Sequence, residues 1–232
     1  MELSKRMNGV ADLVITGKVV ADIGTDHGYI PIHLIKSGKV SRVIAADINA
    51  GPLMRAKNHV AAHGLAPYIE TRLSDGLLKI EPGEVDSVVI AGMGGGLVIK
   101  ILSQSPLVVE QLNEIVLQPQ SEVSKVRRYL GENQFIIIKE DIICEDGKYY
   151  PMMRVEHGND LPYSYEELLY GRLLIRDKHP VLKGFLRREI KEKQKITGEL
   201  AKQNDNGTLK KRGDELREDI ERAFCILERM ES

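Results

Sequence analysis

The sequence predicts an α/β fold: a seven-stranded, mostly parallel sheet followed by a C-terminal hairpin of helices. Three observations predict it. Short apolar runs alternate with amphipathic stretches through the first 157 residues, so helices join the early strands and those strands run parallel. The last two apolar runs are instead joined by Cys144-Glu145-Asp146-Gly147-Lys148, whose Asp-Gly pair favours a tight antiparallel turn. From about Leu161 onward the apolar spacing is helical.

In chain order, strands are expected at Val19–Ile23, Val43–Asp47, Ile69–Arg72, Ser87–Ala91, Glu114–Gln118, Phe135–Ile143 and Tyr149–Val155. Helices are expected at Tyr29–Ser37, Gly51–His63, Gly96–Ser103 and Glu122–Asn133. Asn204-Asp205-Asn206-Gly207 breaks the later helical pattern and reads as a loop. After it, Leu216, Ile220, Ala223, Leu227 and Met230 step by four, three, four and three, the seam of a coiled coil. The stripe before it, Leu182, Leu186, Ile190, Ile196 and Leu200, is less regular. Two domains follow: residues 1–160 with the sheet, and residues 161–232 as an antiparallel hairpin. A mostly parallel sheet closed by an antiparallel hairpin is the layout of class I Rossmann-like methyltransferases.

The chain of 232 residues suits one core domain plus an appendage. Cys144 and Cys225 are far apart and have no Cys/His cluster near them. That argues against a disulfide scaffold or a metal site and fits a reducing cytoplasm. The segment Met1 to Arg6 lacks the apolar core of a signal peptide. No run of eighteen apolar residues occurs, so no membrane span is expected. The sequence leaves the oligomeric state open, with a monomer favoured. Net charge is −1 but unevenly spread: residues 1–171 carry −5, residues 172–217 carry +7 and residues 218–232 carry −3. A basic segment on a mildly acidic body suits a polyanion. Its candidate contacts are Arg176, Lys178, Lys183, Arg187, Arg188, Lys191 and Lys193; the plainer reading is a solvated helical face.

The candidate site begins in Val19 to Pro31, a strand, a turn and a helix start. Asp47 follows at the end of the second strand, nineteen residues past Gly28. A Gly turn after a first strand and an acid after a second is how a Rossmann-like sheet holds a nucleoside. Gly24 and Gly28 let the backbone approach a ligand, and the acid can accept from two ribose hydroxyls. The turn reads D-x-G-x-D-x-G, with Asp26 where a dinucleotide fingerprint has its middle Gly. A carboxylate there repels a pyrophosphate and suits the ammonium of S-adenosylmethionine. The turn therefore points to a methyl donor and away from NAD.

Three further strand ends add to the site. Leu73-Ser74-Asp75-Gly76-Leu77 follows the third strand, where a carboxylate can accept from an adenine amino group. Ile90-Ala91-Gly92-Met93-Gly94-Gly95-Gly96 closes the fourth. Methyltransferases of exocyclic amines usually carry Asp/Asn-Pro-Pro-Tyr there. Its replacement by Gly-Met-Gly-Gly suits a ring nitrogen with a free lone pair, such as adenine N1. Gln118 ends the fifth strand with a donor and an acceptor, enough to read a base edge. His27 and Tyr29 flank the first turn and can stack on a base or orient it.

These strings resemble the TrmK family of bacterial tRNA (adenine(22)-N(1))-methyltransferases, over nearly the whole chain. The resemblance rests on Ser4-Lys5-Arg6, Gly24 to Tyr29, Ala91 to Gly95, Leu117-Gln118-Pro119, Gly147-Lys148-Tyr149-Tyr150 and the coiled-coil tail. Gln120 stands where the family is expected to have Asn, and Pro151 where it commonly has an acid. The resemblance implies methyl transfer from S-adenosylmethionine to adenine N1 in the D-loop region of tRNA. The donor would meet Asp22, Gly24, Thr25, Asp26, Gly28, Asp47, Ile48, Asn49, Ser74, Asp75, Gly76, Ala91, Gly92, Met93, Gly94 and Gly95. Asp26, His27, Tyr29 and Gln118 would position the target base, with no strong base required. The alternative is a methyltransferase for another RNA position or a small molecule.

Overall fold

The computed structural model describes residues 3–15, 19–201 and 207–232. The chain forms two compact units, Met1–Pro162 and Tyr163–Ser232. The first holds α1 (Lys5–Leu13), β1 (Val19–Ile23), α2 (Tyr29–Lys36), β2 (Arg42–Asp47), α3 (Ala50–Ala62), β3 (Ile69–Leu73) and β4 (Ser87–Gly94). It continues with α4 (Gly95–Gln104), α5 (Pro106–Val109), β5 (Glu114–Ser121), α6 (Val123–Glu132), β6 (Phe135–Glu145) and β7 (Lys148–His157).

The expected seven-stranded sheet is present, in the order β3-β2-β1-β4-β5-β7-β6. β1 to β5 pair in parallel, while β7 pairs antiparallel with both β5 and β6. The parallel strands are covered on both faces, so Val20, Ala21, Val43, Ile44, Ala45, Val88 and Val89 are all fully buried. Asp146 and Gly147, at φ 49° and 71°, make the turn between β6 and β7, the backbone an Asp-Gly pair adopts most easily. From β1 the order runs one way through β2 and β3 and the other way through β4 and β5. The resulting switch point opens a crevice at the carboxyl ends of β1 and β4.

Two features lie outside the sequence reading. The Ser4 hydroxyl accepts the Met7 N–H at 3.2 Å and caps α1, whose Val10, Ala11 and Leu13 enter the core. The Glu145 carboxylate accepts the Lys5 N–H at 2.6 Å and ties the start of α1 to the end of β6. β4 continues past the expected end at Ala91 to Gly94, because the strand bulges. Its register against β5 shifts on either side of Met93, and Gly92 sits at φ 79°. The bulge breaks the apolar alternation by which a strand is read.

The second unit holds α7 (Tyr165–Tyr170), α8 (Arg172–Arg176), α9 (Pro180–Leu200) and α10 (Gly207–Glu231). α7 starts at a capping box between Ser164 and Glu167. Arg187 pairs with Glu231 and Lys193 with Asp219, so α9 and α10 run antiparallel. Leu182, Leu186 and Ile190 are buried in α9, and Leu216, Ala223, Ile226, Leu227 and Met230 in α10. Ile220 is half-buried, and Ile196 is 45% exposed, so the expected α9 stripe does not extend to it. Of the expected loop, Asn204 to Asn206 lie outside the described residues and Gly207 already opens α10. Among the described residues, no helix is long and apolar enough to cross a membrane.

Candidate active site

Asp22 is buried one residue before the end of β1, and the chain turns at Gly24, φ 75°. The N–H groups of Gly24 and Thr25 both donate to the Ala46 carbonyl, at 2.8 and 3.0 Å, and fasten the turn to β2. The positive φ of Gly24 favours glycine, and a Cβ there would displace Met93 Cε, so the turn and the β4 bulge meet at this point. Asp26 holds a left-handed backbone, φ 47°, uncommon for a residue other than glycine. Asp47 secures it: Oδ2 accepts the Asp26 N–H at 3.3 Å, and Oδ1 accepts the Asn49 N–H at 2.9 Å. Each oxygen keeps a lone pair for a further donor. Gly28, φ 71°, precedes α2 and abuts Ala56 of α3.

A cavity of about 230 Å³ opens at the switch point. Asp22, Gly24, Thr25, Asp26, His27 and Tyr29 line one side, and Ala91 and Gly92 line the other. Arg6, Met7, Ile30 and Gln120 complete it. Burial raises the Asp22 carboxyl to about 6, and the nearby Asp47 charge adds to the rise, against an opposing pull from the Thr25 side chain.

The Asp26 carboxylate is not left open for a ligand ammonium. Arg55 of α3 donates to it at 2.7 Å, and His27 Nε2 lies 3.6 Å from its other oxygen. His27 and Tyr29 stack nearly parallel, 5.2 Å between centroids and 7° between planes. His59, one turn beyond Arg55, stacks on both rings at 5.6 Å. His27 Nδ1 is buried without a hydrogen-bond partner among the described residues. α3 thus braces the first turn through two side chains that sequence reasoning missed. Their spacing of four on one helix face was the available signal.

Gln118, expected to read a base edge, is engaged within the chain. It is fully buried, and its Oε1 accepts from Arg6 Nη1 at 2.9 Å and from the Gly92 N–H at 3.2 Å. Its Nε2 donates to the Pro119 carbonyl at 3.3 Å. The amide therefore has partners within the protein, and the side chain it holds in the cavity is Arg6. At Gly95 a Cβ would press on the Ser121 and Glu122 carbonyls, so the close approach of α4 to the end of β5 requires glycine there. Gly94 is likewise against Ser121.

The second and third strand ends lie side by side, with Asp47 opposite Leu73. Ile48 is 57% and Leu73 54% exposed, giving an apolar surface beside the two acids. Ser74 is buried and turns inward, its hydroxyl donating to the Gly76 carbonyl at 2.8 Å. Gly76, φ 55°, packs on Ile101. Asp75 is exposed, and its side chain makes no hydrogen bond among the described residues.

The basic residues of the second unit divide in two. Arg176 pairs with Asp177, Arg187 with Glu231 and Arg188 with Glu192, while Lys193 pairs with both Glu189 and Asp219. Lys178, Lys183 and Lys191 have no ion pair among the described residues.

A nucleoside-type site at the switch point of a 3-2-1-4-5-7-6 sheet defines a class I Rossmann-like methyltransferase. Residues 20–223 match the model of one family, TrmK: tRNA (adenine(22)-N(1))-methyltransferase, and the chain belongs to that family. A Bacillus subtilis tRNA (adenine(22)-N(1))-methyltransferase is 34% identical over 95% of both chains. A Streptococcus pneumoniae protein solved in complex with S-adenosyl-L-methionine is 31% identical, TM-score 0.86, covering 97% of this chain and all of that one. M. capricolum TrmK, solved with S-adenosyl-homocysteine, is 28% identical, TM-score 0.85, covering 99% of this chain and all of that one.

Proposed function

We propose that this chain methylates N1 of adenine 22 in tRNA, using S-adenosylmethionine bound at the carboxyl ends of β1 to β4. The observation that carries the reading is the cavity at Asp22, Gly24 and Gly92, set in a chain of this family. The residues fit the donor. Asp22 supplies a buried carboxylate for its cationic end, and Asp47 keeps lone pairs for ribose hydroxyls. Ile48 and Leu73 offer apolar surface for the adenine ring, and Asp75 an acceptor for its amino group.

When bound, the donor supplies an electrophilic methyl on a sulfonium, which leaves as a neutral thioether. The acceptor N1 has its own lone pair, so the chain needs to remove no proton before transfer. What it supplies is alignment. Positive charge passes to the methylated base, and the Asp22 carboxylate lies in the same cavity. The His27–Tyr29–His59 stack offers aromatic faces beside a base turned out of its helix. Unpaired lysines of the second unit would hold the tRNA body, in a cytoplasmic setting.

The test is incubation of the purified chain with labelled S-adenosylmethionine and unmodified tRNA, followed by nucleoside digestion and mapping. Label in 1-methyladenosine at position 22 is the expected result. N6-methyladenosine, or label at another nucleotide, overturns it.

A further inference from the structure

We infer that Arg6 holds a backbone phosphate of the target nucleotide, aimed at it by Gln118. The inference rests on the RNA-methylating reading above and adds a residue to it.

Among the described residues lining the cavity, Arg6 is the sole Lys or Arg, and no carboxylate forms an ion pair with it. Arg55, the neighbouring cation, is already neutralised by Asp26 at 2.7 Å. Arg6 is fixed at both ends. Its backbone N–H and that of Lys5 donate to the Glu145 carboxylate, at 3.4 and 2.6 Å. Its guanidinium donates to Gln118 Oε1 at 2.9 Å and lies 5.7 Å from the Tyr150 ring centroid. A fully buried glutamine, itself fastened to Gly92 and Pro119, is an unusual partner for a surface arginine. It is a neutral acceptor, so it orients the cation without adding a charge, and the nearby Glu145 carboxylate is engaged by the backbone N–H groups of Lys5 and Arg6.

That leaves, on the half-buried Arg6, four guanidinium N–H donors without a partner among the described residues, in the cavity that Asp22 also lines. Its planar fork matches a phosphate. Residues 1–171 carry −5, so an approaching polynucleotide needs a local cation beside the cavity. A nucleotide turned into the cavity leaves its phosphates at the rim, where Arg6 stands. Gln118 is then a positioning residue and Arg6 the contact.

The experiment measures binding of unmodified tRNA to the full chain over a potassium chloride series, for wild type, Arg6→Ala, Arg6→Lys and Gln118→Met. Calorimetry with S-adenosylmethionine runs alongside. Arg6→Ala is expected to lower the magnitude of the log–log salt slope by about 0.7–0.9, the value of one phosphate contact. Donor affinity is measured with it because Arg6 lines the same cavity. Arg6→Lys should restore the slope and part of the turnover. Gln118→Met should keep the slope but raise KM for tRNA. An unchanged slope in Arg6→Ala, whatever happens to turnover, overturns the phosphate contact. A loss of donor affinity with the slope intact overturns it too, and assigns Arg6 to the donor's carboxylate. If wild type binds but does not methylate tRNA, the functional reading falls while the slope comparison still decides Arg6.

Discussion

Asp47 Oδ2 accepts the backbone N–H of Asp26 at 3.3 Å, so the acid that ends β2 holds the strained turn that follows β1. Its other oxygen accepts from Asn49 at 2.9 Å. One side chain therefore sets the shape of both loops around the cavity.

Asp47→Ala should show that double duty. Hydrogen bonds to a charged group contribute about 1.5–3 kcal/mol each, so thermal stability falls measurably. Donor affinity by calorimetry should fall at least about tenfold as ribose contacts and turn geometry are lost together. Asp47→Asn keeps one acceptor oxygen and should lie between. Unchanged binding in the alanine variant would remove Asp47 from the site.

Asp22 should make donor binding pH-dependent. Its carboxyl is raised from 3.8 to about 6. The free protein gains stability from this shift below pH 3.8 and loses it as pH rises through 6, on the order of 3 kcal/mol in all. A cationic donor prefers the ionised form. Affinity should thus rise from pH 5 to 7 and level off above, with proton release in the lower range. Calorimetry in buffers of different ionisation enthalpy reads that release directly. A flat profile, or one retained in Asp22→Asn, contradicts the assignment.

Arg127 of α6 and Glu140 of β6 form a buried ion pair at 2.9 Å, with side chains 2% and 1% exposed. Arg127→Met leaves a carboxylate buried without its partner and should cost roughly 3–5 kcal/mol. Pairing it with Glu140→Met should recover most of that loss, since two apolar groups need no solvation. Urea denaturation of the single and double variants measures both. Additive losses would show that the pair is not the coupled unit.

Lys183 and Lys191 should matter more to tRNA than Lys193. Lys193 is 20% exposed and engaged by Glu189 and Asp219 at 2.9 and 2.8 Å. Its replacement by Ala should lower melting temperature with little change in the tRNA salt slope. Lys183→Glu with Lys191→Glu should weaken tRNA binding and flatten the slope by about 1.8. Equal slopes for the two variants would show that ion pairing in the hairpin does not sort these cations.

The strands were legible in the sequence because each is a short apolar run ended by a polar turn, and pleating and burial act over that same distance. The D-x-G-x-D-x-G turn and Asp47 were legible for a related reason: their backbone demands are local, and only certain residues meet them. α1 was not, since its apolar face is short and gains its stability from packing on the sheet. The end of β4 was not, because a bulge leaves no alternation to read. Gln118 shows the limit most clearly. Sequence placed it at the right strand end, where an amide can serve substrate or protein equally well. Only the tertiary structure supplied its partner, by bringing Arg6, 112 residues away, within 2.9 Å of its oxygen. Likewise Asp26 carried an unpaired charge in the sequence and lost it to Arg55 only when α3 packed beside the turn. Residue type determines which bonds a side chain can make; which of them it makes depends on neighbours that only the fold supplies.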